Sequence, residues 1–307
     1  MKIYRHPKYY YDLESITRFI DVEYVDSEEQ CDYVAIASSH NEPVFEGVTK
    51  PILYSYIREH PYKHDQYLQT QFSSLKNTQD IKIFSVSSFD EIISNRENII
   101  IDQFELDAYH RLFVKNECAV ATDNIGNLHY LYLGGKANKT HRKFLYDFLT
   151  KQLPDKGTAT LFDHSSSPDN AVYENNHYLG YPYDVKLYKH HNLSIIAETH
   201  FDQNQEFHPT EKTYRAIANS HPFIIASTPY FLTKLHNKGY QTFNKYWNEN
   251  YDFTINDADR LQQLTDSIKY SIENIFYSNI KNICYHNLNT LKNNAVNTKQ
   301  KIIKALK

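Results

Sequence analysis

Three stretches in the second half of the chain carry residue types that can hold a phosphorylated ligand. The first is GGKANKTHR at 134–142, where two glycines permit a tight backbone turn and close approach to a ligand. Lys136, Lys139, His141 and Arg142 follow directly. Cations at the start of a helix, added to its partial positive charge, would cradle a diphosphate; a solvated basic loop would use the same residues. The second is IIAETHF at 195–201, where Glu198 and Thr199 bring a carboxylate and a hydroxyl to a strand end. A lone Glu there also serves as a cap or a surface charge. The third is FHPTEKTYRAIA at 207–218. Thr210 is a natural N-cap, Glu211 can accept from both hydroxyls of a ribose, and Lys212 and Arg215 can face phosphates. An ordinary Glu211–Arg215 pair on a solvent face has the same spacing.

Each stretch falls where a strand should hand over to a helix. Strands are expected at 128–133, 158–162, 193–197 and 222–226, and helices at 140–152, 210–220 and 229–239, the last closed by Gly239. Helical periodicity then runs from 258 to about 290, with Leu261, Leu264, Ile268 and Ile272 on one face. Ahead of these, 32–38 (DYVAIAS), 51–57 (PILYSYI), 81–86 (IKIFSV) and 98–101 (NIII) read as strands at β-α spacing. Strands separated by helix-length segments predict an α/β fold with parallel sheets. The turn signal DNIGN at 123–127 divides the expected domains: 1–122, 123–290, and a lysine-rich surface helix or tail at 291–307. In open sheets of this kind ligands bind at the carboxyl ends of the strands.

Taken in order, the three stretches resemble the donor domain of a glycosyltransferase family common in bacteriophages and aquatic viruses. That family is distantly similar to fucosyltransferases and exostosins. The strand ending in Glu198-Thr199 and the run TEKTYRAIANSHPFIIA follow its pattern closely, whereas Gly134-Gly135-Lys136 stands where the family has Asn-x-Arg. GYQTFNKYW at 239–247 extends the resemblance, which covers about residues 128–260. It implies a GT-B-like architecture of two Rossmann-like domains facing across a cleft, and a nucleotide-sugar as co-substrate. Glu211 would hold the donor ribose. Lys212 and Arg215 would serve the diphosphate from one side, and Lys136, His141 and Arg142 from the other. Glu198 and Thr199 would line the nucleotide or sugar pocket. No D-x-D motif closes a strand, so metal-independent transfer without a cofactor is expected.

In such folds the acceptor binds the N-terminal domain, and an inverting enzyme needs a base there. His40 or Glu42, in the loop after the first clear strand, are candidates, with Asp102 and Glu105 next. A retaining enzyme would need none. The resemblance makes the acceptor a glycan or a hydroxymethylated base of viral DNA. Lys292, Lys299, Lys301, Lys304 and Lys307 could supply part of a basic stripe for DNA, or merely a solubilising tail. The alternative is a catalytically inactive module of the same fold that holds a nucleotide or a partner. A dinucleotide-dependent enzyme is disfavoured because no GxGxxG follows a first strand.

The bulk numbers fit these readings. A net charge of −4 argues against non-specific coating of nucleic acid, although a local basic groove depends on placement. Cys31, Cys118 and Cys284 lie far apart, as reduced thiols would. The N-terminus lacks the apolar core of a signal peptide and no apolar run could span a bilayer, so a cytoplasmic protein is expected, or one working in a host cytoplasm. The 27 tyrosines against seven glycines are what AT-rich coding produces. Those at 9, 10, 11, 54, 56, 62 and 67 could stack on sugars or bases but read mainly as packing, and HPYKH at 60–64 reads as a surface loop.

Overall fold

The computed structural model describes residues 1–10, 21–38, 48–56, 81–85, 98–100, 102–113, 115, 126–162, 185–204, 207–274 and 277–306. His40, Glu42, Cys118, Tyr11, Tyr62, Tyr67, Lys307 and the HPYKH segment lie outside them. The chain is α/β and divides into two compact units, Met1–Asp107 with Ala295–Lys307, and Ala108–Asn294.

The first unit is built on six parallel strands: β1 (Lys2–Tyr10), β2 (Glu23–Val25), β3 (Tyr33–Ser38), β4 (Ile52–Tyr56), β5 (Ile81–Ser85) and β6 (Asn98–Ile100). They lie in the order β2-β1-β3-β4-β5-β6. Ile3, Val34, Ile36, Ile52 and Leu53 are fully buried, as expected of a parallel sheet covered on both faces. Tyr54 is buried among them, so its ring is packing. Strands β3 to β6 form where alternating and β-branched runs predict them. Strand β1 does not announce itself, because Arg5, His6, Pro7 and Lys8 interrupt its apolar pattern. Its pairing with β3 changes register between Arg5 and Tyr10, around a proline that has no N–H to give the ladder. Helix α1 (Gln103–Phe113) follows β6.

The second unit contains β7 (Leu128–Lys136), α2 (Thr140–Gln152), β8 (Gly157–Phe162), α3 (Val185–His190), β9 (His191–Ala197), α4 (Glu211–Ala218), β10 (Phe223–Ala226), α5 (Phe231–Asn237) and α6 (Asp257–Asn274). Helix α7 (Tyr277–Ala305) starts here, and its residues from Ala295 belong to the first unit. The four strands are parallel, in the order β10-β9-β7-β8. The chain therefore moves outward from β7 to β8, then crosses back to β9 and on to β10. The strand order reverses between β7 and β9, and that reversal is the switch point at which open sheets bind ligands.

Pairing opens a crevice there. Strand β7 pairs with β9 only as far as Tyr132 and Ile195, yet follows β8 to Lys136 and Phe162. Strand β9 meanwhile stays with β10 through Ala197, and Glu198 N donates to Ala226 O at 3.0 Å. The two strand ends that carry Gly134-Gly135-Lys136 and Glu198-Thr199 thus lie beyond the β7–β9 ladder.

The C-terminal segment, expected as a lysine-rich surface helix or tail, is helical and partly buried. It continues a 29-residue helix, and Ala295, Ile302 and Ala305 are buried. Lys292 and Lys301 are nine residues apart and, at about 100° per residue, point to opposite sides of α7, so the lysines form no single stripe. No described helix is long and apolar enough to cross a membrane.

Candidate functional site

Glu198 organises the switch point. It is fully buried, and its carboxylate accepts from Thr210 N (3.0 Å), Thr210 Oγ1 (2.5 Å) and Thr213 Oγ1 (2.6 Å). It thereby holds the first turn of α4 against the end of β9, an arrangement charge-assisted hydrogen bonds make rigid. Its backbone carbonyl takes a hydrogen bond from His141 Nε2–H at 2.9 Å, which ties down the start of α2. One residue thus joins the N-termini of two helices. Thr199, next along, is half-buried.

His141 is not the cation its position suggests. It is buried and stacked on Phe201, with ring centroids 4.8 Å apart. Burial lowers its pKa to about 4; the Glu198 carbonyl opposes that shift and the nearby Arg142 adds to it. The ring is neutral at pH 7, its proton fixed on Nε2 by the Glu198 carbonyl. Phe201 is held from its other side by Arg260, whose guanidinium lies 4.1 Å from the ring centre and donates to Phe201 O. Arg260 is buried on α6, 59 residues from its partner, and nothing in its local sequence marks it.

Arg142 is different. It is buried, and among the described residues its guanidinium has no hydrogen-bond or ion-pair partner, with Nε wholly shielded. Gly135 lies against it with φ +73°, a conformation that side chains disfavour. A Cβ placed on Gly135 would stand 3.5 Å from Arg142 Nη1 and 3.8 Å from Lys212 Cε. The bare glycine backbone is therefore flanked by two cations from two helices. Lys136, at the end of β7, is exposed, and Lys139 occupies the N-cap position of α2 without a side-chain cap.

Helix α4 completes the site. Thr210 caps it, accepting from Lys212 N at 3.4 Å. Lys212 Nζ lies 2.8 Å from Glu211 Oε1, with both side chains mostly buried. Burial alone would raise the Glu211 pKa, but Lys212 and Arg215 outweigh it and hold the carboxyl at about 2. Arg215 is buried on the next turn. Lys212 and Arg215, with Leu131, Leu133, Ser194 and Ile196, line a small pocket. Lys212 is paired with Glu211, whereas Arg142, across Gly135, has no partner among the described residues, and an anion is the chemistry that matches it.

In the first unit, Asp102 accepts from Glu105 N at 3.1 Å and so caps α1, and Glu105 is buried.

No protein-family model matches the chain, and no curated protein matches it significantly. Among solved structures it is similar to an α1,3-fucosyltransferase with GDP, at 13% identity and a TM-score of 0.40, covering 100% of this chain and 88% of that one. It is also similar to an α1,3-fucosyltransferase with GDP-fucose, at 13% identity and a TM-score of 0.39, covering 100% and 89%. A likeness so distant carries no chemistry, which rests on the site itself.

Proposed function

We propose that this chain is a nucleotide-sugar-dependent glycosyltransferase that holds the donor diphosphate at the β7–β9 switch point. The observation that carries the reading is the buried Arg142 side chain, without a partner among the described residues, beside the bare backbone of Gly135 and the Lys212 side chain. Burying an arginine uncompensated is costly, and a diphosphate between Arg142 and Lys212 would remove that cost by forked, charge-assisted hydrogen bonds. The same cations stabilise the charge that grows on the diphosphate as the bond to the anomeric carbon breaks. They serve that purpose without a metal. Glu211, ionised at neutral pH, is suited to accept from ribose hydroxyls. Transfer joins the acceptor oxygen to the anomeric carbon. A base among His40, Glu42 and Asp102 takes the hydroxyl proton if configuration inverts.

The test is a thermal-shift panel of UDP, GDP, CMP, ADP and their sugars. A nucleotide at ~100 times its dissociation constant should add ~2.7 kcal/mol and raise the melting point by several degrees. The shift should disappear in Glu211→Ala and Arg142→Ala. A flat response to the whole panel would overturn the reading.

A further inference from the structure

At the same C-terminal end of the second sheet, beyond β10, two aromatic rings stand out into solvent. Tyr230 is 44% exposed and Phe253 57%, with their centroids 5.9 Å apart and their planes at 73°. Ile255, 45% exposed, follows two residues after Phe253. Isolated exposed apolar residues need no explanation, but a contiguous set does.

The backbone beneath them is strained and firmly held. Tyr230 sits at φ 62° and ψ 19°, in the left-handed region that bulky residues avoid. Tyr230 N donates to Asp252 O at 2.6 Å. The buried Asp252 carboxylate accepts from Leu232 N (2.7 Å), Thr233 N (3.0 Å) and Thr233 Oγ1 (2.9 Å). Beyond Phe253, Arg260 Nη1 donates to Thr254 O (2.7 Å) and Ile255 O (3.0 Å). Strain fixed by so many bonds marks a conformation kept for what it presents, here two rings set as a corner.

The surroundings select the occupant. The neighbouring exposed positions include Lys234, one turn after Tyr230, with Asn248, Asn250, Asn256 and Asp259, and Asp257 is part-exposed. Among the described residues the Asn250 carboxamide has no partner. Aromatic faces with amide groups at their edge suit a pyranose, whose C–H face stacks while its hydroxyls bond to the amides. A nucleic acid would also stack, but its phosphates call for several cations, and here one described lysine, Lys234, is outnumbered by Asp257 and Asp259. The corner is joined to the diphosphate site through Phe231, which packs on Phe207 at 4.9 Å, three residues before Thr210.

We propose that the Tyr230–Phe253 corner, in the second unit and not in the N-terminal domain where the resemblance puts the acceptor, is a carbohydrate subsite for it, a role that rests on the transferase reading, and that the acceptor is therefore a glycan. Saturation-transfer NMR on the full chain tests it with lactose, cellotriose, chitotriose and a ten-nucleotide oligo(dT). The variant is Tyr230→Asn with Phe253→Ser, in which asparagine tolerates the left-handed backbone. At least one saccharide should bind through the C–H protons of one ring face, and the double variant should weaken it at least tenfold. Melting temperature and nucleoside-diphosphate affinity should be unchanged in that variant. Equal saccharide binding in variant and wild type, no saccharide binding at all, or binding of the oligonucleotide alone would each overturn the proposal. Saccharide binding at the corner without any nucleotide binding would instead sink the donor-site reading and leave the subsite standing.

Discussion

Glu198 and Arg142 divide the work at the centre of the site. Glu198 touches two threonines and, through its carbonyl, His141, so it acts on a ligand only by setting where Arg142 and Lys212 stand. Glu198→Gln replaces an acceptor-only carboxylate with an amide that brings two donors to the same hydroxyls. We expect a stability loss of about 1–3 kcal/mol, read by urea denaturation, together with weaker nucleotide binding. Unchanged stability with unchanged binding would show that the clamp does not position the cations. The sequence singles out Thr210, Glu211 and Lys212 by type and place, and Arg142 far ahead of them, and the structure sets Arg142 and Lys212 about Gly135. What the sequence withheld was burial. His141 reads as a cation beside Arg142 and is neutral because it is enclosed, and Glu198 reads as a rim carboxylate and is wrapped by the start of α4.

The elements that hold these residues follow local chemistry where local chemistry is strong. Helix α2 begins and ends at the expected Thr140 and Gln152, and the strands of the second sheet fall within a few residues of their apolar runs. The glycine pair was expected to let the chain turn; the positive φ of Gly135 instead sits at a register shift inside β7, and the turn follows at 137–138. Gly135→Ala would force a Cβ into the left-handed region at about 1–2 kcal/mol and would cover the backbone between Arg142 and Lys212. The expected outcome is a lower melting temperature and a nucleoside-diphosphate affinity reduced at least tenfold. An affinity equal to wild type would place the ligand elsewhere. Elements fixed by distant partners escaped the sequence. Strand β1 exists because β2 and β3 flank it, and the last turns of α7 are buried by contacts their lysines do not announce. Tyr230 reads as the second residue of a helix, and its conformation is imposed by Asp252.

For the molecule as a whole, buried titratable groups set how stability varies with pH. His141 and His221 are both lowered to about 4, chiefly by burial, so the folded state disfavours their charged forms. Their contribution is present above pH 6.5 and is lost as pH falls toward 4, by ~3 kcal/mol each. Glu249 works the other way. Burial first, and then the neighbouring Asp252, raise it to about 7, so its contribution is full below about pH 4.5 and is lost as pH rises through 7. Two histidines outweigh one glutamate between pH 4.5 and 6.5, and wild-type stability should fall on acidification through that window. Glu249→Gln keeps an acceptor for Phe243 N and removes the alkaline loss. Melting curves of the two proteins should diverge in favour of the variant above pH 7. Parallel curves across the whole range would contradict the assignment.

The central claim concerns an anion at the β7–β9 crevice, and calorimetric titration tests it most directly. The nucleotide that gives the largest thermal shift would be titrated into wild type and into Arg142→Met, which keeps the buried stem and removes the fork. The account predicts binding to wild type and an affinity at least tenfold lower in the variant, with melting temperature equal or higher because a buried charge without a partner among the described residues has gone. Equal affinity in the two proteins would contradict it.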